Sequence, residues 1–282
     1  MGGVWDAGCS RPRDCRSSFH QVPGLPPITL VVAGTYYSAA LDTNGCLWVW
    51  TDQDIWISWA SSAPKRVEGV PPLIKAACGE QFIVAEAEEG LWILRPNPCG
   101  HQTNNVLESR LVQVEGRAEG PLRCLAAFRN GVILIDSQGA VFSCPLGCSS
   151  GEDSRFRRMS NIPAMIQASC GLDHILYLDE KGSVWSWGCG GYGQLGRSRG
   201  STDLEQHPHP VPSLEGISAL VAGGFHSLVF PAEGGLLVFG WNSSGQLGLN
   251  HRYQKITPTA CLVQPALPHS FDRSRMKSAR FT

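Results

Sequence analysis

A chain of 282 residues, 43% of them hydrophobic and 17% charged, is long enough for one large β domain or two small ones. Its net charge of −1 gives no basic field to draw the whole molecule onto nucleic acid or an acidic membrane, and no run of about 18 apolar residues offers a transmembrane helix. The 11 cysteines are odd in number, irregularly spaced and preceded by no apolar leader, a pattern of free thiols in a reducing compartment.

Taken in order, the chain opens on Gly3-Val-Trp-Asp-Ala-Gly8, which reads as the last strand of a unit whose first half is missing. Cys9 to His20, with Arg11, Arg13 and Arg16, then reads as a polar connection. A first full unit follows: a strand through Gly34 and Tyr37, the turn Asp42-Thr-Asn-Gly45 and the aromatic strand Leu47-Trp-Val-Trp50. Trp56 and Trp59 fall in its loop. The second unit has Cys78-Gly79 and Phe82, the acidic turn Glu86 to Gly90 and Leu91-Trp-Ile-Leu94. The third is the most worn, with Ala127 and Asn130 at the repeat positions, Asp136-Ser-Gln-Gly139 and Val141-Phe-Ser-Cys144.

The fourth unit is the template for the rest. It runs Ala168-Ser-Cys-Gly171-Leu-Asp-His174, Asp179-Glu-Lys-Gly182, Val184-Trp-Ser-Trp187-Gly188 and Gly193-Gln-Leu-Gly196. Alternating apolar residues, turn chemistry and a strand rich in β-formers make this an antiparallel hairpin with a glycine-rich exit. The fifth repeats it as Gly223-Gly-Phe-His226, Pro231-Ala-Glu-Gly234, Leu237-Val-Phe239-Gly240 and Gly245-Gln-Leu-Gly248. Gly34, Gly79, Ala127, Gly171 and Gly223 are then equivalent, at spacings of 45, 48, 44 and 52. That period is in the range of propeller blades, and a hairpin of this size buries its faces only by stacking on neighbours. Thr257 to Gln264 reads as the first strand of a further unit. The expected fold is all-β: a β-propeller of antiparallel hairpin blades, with five legible repeats and two terminal half-blades. Residues 1–20 form the partial blade and connection, 21–265 the propeller, and 266–282 a basic disordered tail with Arg273, Arg275, Lys277 and Arg280. The two half-blades either close a shortened ring as a composite sixth blade or mark a fragment or splice form of a longer chain.

No Trp-Asp pair closes any unit, and the Gly-Gly doublets fall at different places in the repeat, which argues against two other propeller families of similar period. The small-residue-Gly-x-x-His strand, Asp-x-x-Gly turn, Val-Trp-x-Trp-Gly strand and Gly-Gln-Leu-Gly loop instead resemble the regulator of chromosome condensation repeat family. The resemblance covers roughly residues 28 to 250. Units one to three depart from it, carrying Tyr37, Phe82 and Asn130 in place of His and lacking the Gly-Gln-Leu-Gly loop.

The chemistry is sparse. Gly188-Cys-Gly190-Gly-Tyr-Gly193 satisfies a dinucleotide pattern after a strand, but no helix follows to hold a pyrophosphate. Cys144-Pro-Leu-Gly-Cys148, or Cys9 with Cys15, lacks the second ligand pair of a zinc site. His174 and His226 recur at one repeat position, which suits a structural hydrogen bond in each blade better than a catalytic role. No catalytic residue, cofactor or metal is expected. Gly34, Gly79, Gly171, Gly223, Gly193, Gly196, Gly245, Gly248 and Trp187 are read as structural repeat positions. Tyr192, Arg197, Arg199, Asn242 and Arg252 adjoin the rigid loops, where binding residues concentrate. These five are the candidate protein contacts.

Fold alone does not fix function. The expected role is a non-enzymatic interaction scaffold for a protein partner, in the cytoplasm or nucleus. The resemblance also implies two alternatives: guanine nucleotide exchange on a small Ran-like GTPase with chromatin association, and the regulatory propeller of a larger ubiquitin ligase.

Overall fold

The computed structural model describes residues 4–9, 15–34, 37–50, 63–96, 107–112, 114–146, 155–197, 207–249 and 256–263. Every regular element among them is a strand. A two-stranded antiparallel sheet comes first, pairing β1 (Trp5–Cys9) with β2 (Cys15–Gln21). The opening strand therefore has its partner in the segment expected as a polar connection.

Five four-stranded sheets follow. The first is β3 (Ile28–Ala33), β4 (Ser38–Asp42), β5 (Leu47–Trp50) and β6 (Lys65–Arg66). The second is β7 (Leu73–Cys78), β8 (Ile83–Ala87), β9 (Gly90–Pro96) and β10 (Leu107–Val112). The third is β11 (Cys124–Phe128), β12 (Gly131–Ile135), β13 (Val141–Pro145) and β14 (Arg157–Arg158). The fourth is β15 (Met165–Cys170), β16 (His174–Asp179), β17 (Val184–Gly188) and β18 (His209–Pro210). The fifth is β19 (Ile217–Ala222), β20 (His226–Pro231), β21 (Leu236–Trp241) and β22 (Ile256–Val263). Each sheet is a meander in chain order. The expected hairpin is thus the middle of a longer unit: the run leading to Gly171 is its own strand, and a three-residue turn separates it from His174. Thr257 lies on β22, which pairs with β21 and completes the fifth sheet instead of opening a sixth.

Two compact units divide the chain. One holds Met1–Gly116, Leu125–Val132 and Cys144–Phe156, the other Arg117–Cys124, Ile133–Ser143 and Arg157–Thr282. In the first, Tyr37, Ala39, Leu41, Leu47 and Val49 bury against Leu73, Ile83, Ala85 and Leu94, so the core lies between the first and second sheets. In the second, Leu176, Leu178 and Val184 bury against Leu220, Val229 and Phe239, between the fourth and fifth. Four inner strands carry a register shift two residues from their start, as at Met165/Gln167 and Ile217/Ala219. Such bulges increase local twist.

The repeat glycine has a steric reason. A Cβ at Gly171 would run into the His174 ring and the Gly223 carbonyl, and one at Gly223 into the His226 ring. Gly34 and Gly79 meet the rings of Tyr37 and Phe82 in the same way. An aromatic three residues on therefore lies flat on the glycine in four repeats, and Tyr and Phe serve as well as His. The third repeat reverses the pair. Counting back from Asp136, Phe128 stands at the glycine position and Gly131 at the histidine position, and the Phe128 ring covers Gly131. The expected equivalence of Ala127 and Asn130 is off by one residue. The turn of the second repeat is likewise Ala87–Gly90, one residue later than Glu86.

The turns are set by one carboxylate. Asp42 Oδ1 accepts the amides of Asn44 and Cys46 at 2.8 and 2.9 Å, and Oδ2 accepts the Trp48 indole N–H at 3.0 Å. Asp179 repeats this with Lys181, Ser183 and Trp185. Asp136 takes Gln138 and Ala140, with the Ala118 amide replacing an indole. This is an aspartate-capped turn extended to an aromatic on the next strand. Gly45, Gly139 and Gly182 close it at φ of 76°, 85° and 79°. Where Ala87 replaces the aspartate and the turn is shorter, the buried Trp92 indole N–H has no partner.

Candidate functional site

The two intact Gly-Gln-Leu-Gly loops have one construction. Gly193 and Gly196 each donate to the carbonyl three residues back, as do Gly245 and Gly248, with φ between 63° and 78° at all four. Side chains other than glycine are disfavoured there. Gln194 Oε1 accepts the Tyr192 amide and Gln246 Oε1 the Ser244 amide, while Leu195 and Leu247 plug inward. In the fourth sheet the loop is clamped to its neighbours. Ser186 Oγ donates to the Leu195 carbonyl at 2.8 Å, and Ser227 Oγ of the fifth sheet donates to the Gln194 carbonyl at 2.8 Å. A Cβ on Gly196 would press on Phe239 at 3.0 Å.

That hydroxyl also fixes the tautomer of His174, whose Nε2 lies 2.9 Å from Ser227 Oγ. Since the serine proton is used on Gln194, His174 Nε2 carries the hydrogen and Ser227 accepts it. Nδ1 is buried without a partner. Burial, with repulsion from His226, pushes the His174 pKa down to about 3, so the ring is neutral. Burial pushes His226 down as well. Neither histidine is poised as a general base near neutrality, and the Cys78 thiol, pushed up to about 12 by its own burial, is not a ready nucleophile. Among the described residues no group of three His, Cys, Asp or Glu side chains is arranged to hold a metal ion. Cys144 is buried on β13, while Cys148 lies outside the described residues.

Above this polar seam sits an aromatic cluster. Tyr192, 42% exposed, packs its ring 5.1 Å from Phe225 and 5.8 Å from Trp241, and those two meet edge to face at 5.9 Å. Tyr192 comes from the fourth-sheet loop, Phe225 from the turn before β20 and Trp241 from the end of β21. The Trp241 amide donates to the Phe225 carbonyl at 2.9 Å, and Gly240 at φ 111° lets the backbones approach where a Cβ would fall 2.6 Å from that oxygen. Phe225 and Trp241 are therefore tied by a main-chain bond, the Tyr192 amide is held by the Gln194 side chain, and the ring spacings are those of favourable aromatic pairs.

Of the five candidate contact residues, only Tyr192 is placed at this surface as an exposed group. Arg197 donates from Nε and Nη2 to the Oγ and carbonyl of Ser186, both at 3.2 Å. Asn242 is buried, its Oδ1 accepting the Leu247 amide at 3.0 Å; it shapes the loop from within. Arg199 and Arg252 lie outside the described residues. Phe225 and Trp241 are absent from the sequence-derived set. Their signal was available: the fourth repeat has Asp173 and Cys189 at these two positions, and only the fifth puts aromatics at both.

Meandering four-stranded sheets that cover one another's faces define a β-propeller, and solved structures agree. The chain superposes on Prp20p of Saccharomyces cerevisiae with a TM-score of 0.75 at 16% identity, covering 94% of this chain and 73% of that one. Human WBSCR16 matches at 0.70 and 16%, covering 90% and 72%. The Prp20p structure is described together with its binding to Gsp1p and histones. The regulator of chromosome condensation (RCC1) repeat matches residues 181–230, and a second form of the same repeat matches 165–194. Human RCC1 domain-containing protein 1 is 41% identical over 88 residues, 30% of this chain and 23% of its own length. The Danio rerio RCC2 homolog is 26% identical over 269 residues, 76% of this chain and 52% of its own length. The chain carries RCC1-type repeats within residues 165–230. It spans about a quarter to half the length of these curated relatives.

Proposed function

We propose that the chain is a non-enzymatic protein-interaction module whose partner docks on the Tyr192–Phe225–Trp241 cluster. The observation that carries this reading is the gathering of three rings from three separate segments onto a rigid, half-exposed surface. Tyr and Trp are the residues that most often dominate binding energy at protein interfaces, and an anchor held rigid before binding loses little entropy on contact. The buried, neutral His174, tied to Ser227 between two blades, favours a structural role for the repeat histidine over a catalytic one.

A second reading is guanine nucleotide exchange on a small Ran-like GTPase, favoured by the shared fold with Prp20p and its described binding to Gsp1p. Likeness to a probable human ubiquitin ligase, HERC6, at 30% identity over 211 residues favours the regulatory propeller of a larger chain. A cytoplasmic or nuclear site suits all three. The test is affinity capture from cells with the wild-type chain and with a Tyr192→Ala/Trp241→Ala variant whose fold is verified by thermal melt. Loss of a specific partner set from the variant is expected. An unchanged set removes this surface, and acceleration of GDP release from a purified GTPase of that set establishes the exchange reading instead.

A further inference from the structure

The short outer strands β6, β14 and β18 are built alike, and their equivalence can be read residue by residue. Arg66, Arg158 and Pro210 pair with Trp48, Phe142 and Trp185 on the neighbouring strand. The next amide, of Val67, Met159 or Val211, donates to the carbonyl of Leu47, Val141 or Val184, each time at 2.8 Å. Two residues after that bond the chain turns through a left-handed residue, Gly69, Asn161 or Ser213, at φ of 79°, 62° and 63°. Between bond and turn stand Glu68, Ser160 and Pro212, all exposed. One backbone course thus carries three different side chains at the same outward place.

What precedes that place sets the third blade apart. Ser160 follows Arg157-Arg158-Met159, and this is the one Arg-Arg pair in the chain. Both arginines are exposed, while Met159 is half-buried and its Sδ accepts the Tyr177 hydroxyl. β14 is the last strand of its sheet, held by a two-residue ladder and the Met159 amide, so it costs little to open locally. The segment is already extended and turned outward. That is the form in which an enzyme reads cations ahead of a serine, seating each guanidinium fork on its own carboxylates. The first blade shows what an anion does at this place. There the Glu68 carboxylate stands where Ser160 does, 3.7 Å from Nε of Arg66, the equivalent of Arg158. Arg158 itself already acts as a counter-charge to the Asp136 carboxylate.

We propose that Ser160 is a phosphorylation site: a basic-directed serine/threonine kinase reads Arg157 and Arg158, and the phosphate then rests against Arg158 as Glu68 rests against Arg66. ATP supplies the group. Its γ-phosphorus parts from the oxygen bridging to the β-phosphate and bonds to Ser160 Oγ, ADP leaves, and the hydroxyl proton passes to the base of the kinase. The modification adds a charge of about −1.5 to −2 at neutral pH. Since the model pair in the first blade is exposed, with side chains 52% and 73% accessible, the phosphate alters the surface of the blade and leaves its stability nearly unchanged.

The test is incubation of the folded full chain with ATP and the catalytic subunit of a cyclic-AMP-dependent protein kinase, which selects arginine two and three residues before its serine. Fragment mass spectra are expected to place a phosphate on Ser160, and the modified chain is expected to melt like the untreated one. Ser160→Ala is expected to lose that phosphate. Arg157→Gln is expected to slow its transfer about tenfold or more, through the loss of one charged hydrogen-bonding group. Both substitutions are at exposed positions, and thermal melts verify their folds. A wild type that takes no phosphate at Ser160 overturns the inference, even where a free peptide of residues 155–165 is modified, because the folded chain must present the site. An undiminished rate for Arg157→Gln overturns the reading by arginine. The seat of the phosphate is tested by phosphorus NMR across pH. Its second ionisation, ordinarily at about 6, is expected lower in the folded chain than in the same chain unfolded in urea, and equal midpoints overturn the contact with Arg158.

Discussion

Asp179 shows how much one side chain does in this fold. A single carboxylate accepts two turn amides and the Trp185 indole, three donors, and so fixes both the turn and the first residues of β17. Asp179→Ala leaves all three donors to find water or stay unpaired, at about 1–3 kcal/mol for a buried donor. Urea melts of the variant are expected to show a loss in that range, whereas Glu180→Ala, which removes only an exposed ion pair with Arg123, is expected to change little. The repeat glycine makes a second residue-scale case. Gly171→Ala forces a methyl group into the His174 ring and the Gly223 carbonyl, and backbone cannot yield, so a loss of about 1–3 kcal/mol is expected. Gly224→Ala is its control, because the added carbon would rest 3.5 Å from Leu172 in ordinary contact. Equal effects from the two would show that the ring-on-glycine contact is not what the repeat requires.

At the scale of the element, packing between blades separates two residues that are equivalent by sequence. Phe239 is fully buried against Val211, Leu214 and Leu220, whereas Trp187, at the same place on β17, is half-buried. Both look like blade-filling aromatics in the sequence. Phe239→Ala is expected to cost about 3–5 kcal/mol through cavity formation, and Trp187→Ala distinctly less, measured by denaturant midpoints at constant slope. The same contrast explains what the sequence reveals. Turn glycines, aspartate caps and the loop glycines are local requirements, so Asp179 to Gly182 and Gly193 to Gly196 are legible without a structure. The outer strands β6, β14 and β18 are two residues long and carry no periodicity, which is why the unit reads as a hairpin. Phe128 and Gly131 exchange roles because the contact needs a ring and a glycine in either order, a symmetry that alignment by residue type hides. The aromatic cluster is less legible still. Tyr192, Phe225 and Trp241 are spread over 50 residues, and only the seam between two blades brings them together.

On the scale of the whole molecule, the buried ionisable groups set how stability follows pH, and on the acid side they act in two windows. His174 has a folded pKa of about 3 against roughly 6.5 for an unfolded histidine. Between those values the unfolded chain binds a proton that the folded chain refuses. Stability is therefore full above about 6.5 and falls as the pH drops toward 3. His226, lowered by burial, adds a contribution of the same sign. The carboxylates act lower. Burial raises the pKa of Asp42, but the hydrogen bonds from Trp48, Cys46 and Asn44 outweigh it, leaving the group below its ordinary value. Asp136 is lowered against its burial by the amides of Ala118, Ala140 and Gln138 and by the charge of Arg158. Their contribution is present above the unfolded aspartate value of about 3.9 and is lost as the pH falls through their lower folded values. The expected profile of melting temperature is flat from pH 7 to about 8, below the unfolded cysteine value of roughly 8.5, declines on the acid side through the range of the histidines and steepens below pH 4. Above about 8.5 it declines again, because burial holds the Cys78 thiol protonated in the folded chain. His174→Gln keeps a donor for Ser227 and removes the titration, so its curve should run flatter than the wild type between pH 6.5 and 4 and rejoin the same steep fall below. Parallel curves over the upper window would show that His174 is not the group that refuses the proton, and that the neutral Nε2–H tautomer linking the fourth and fifth blades is wrongly assigned.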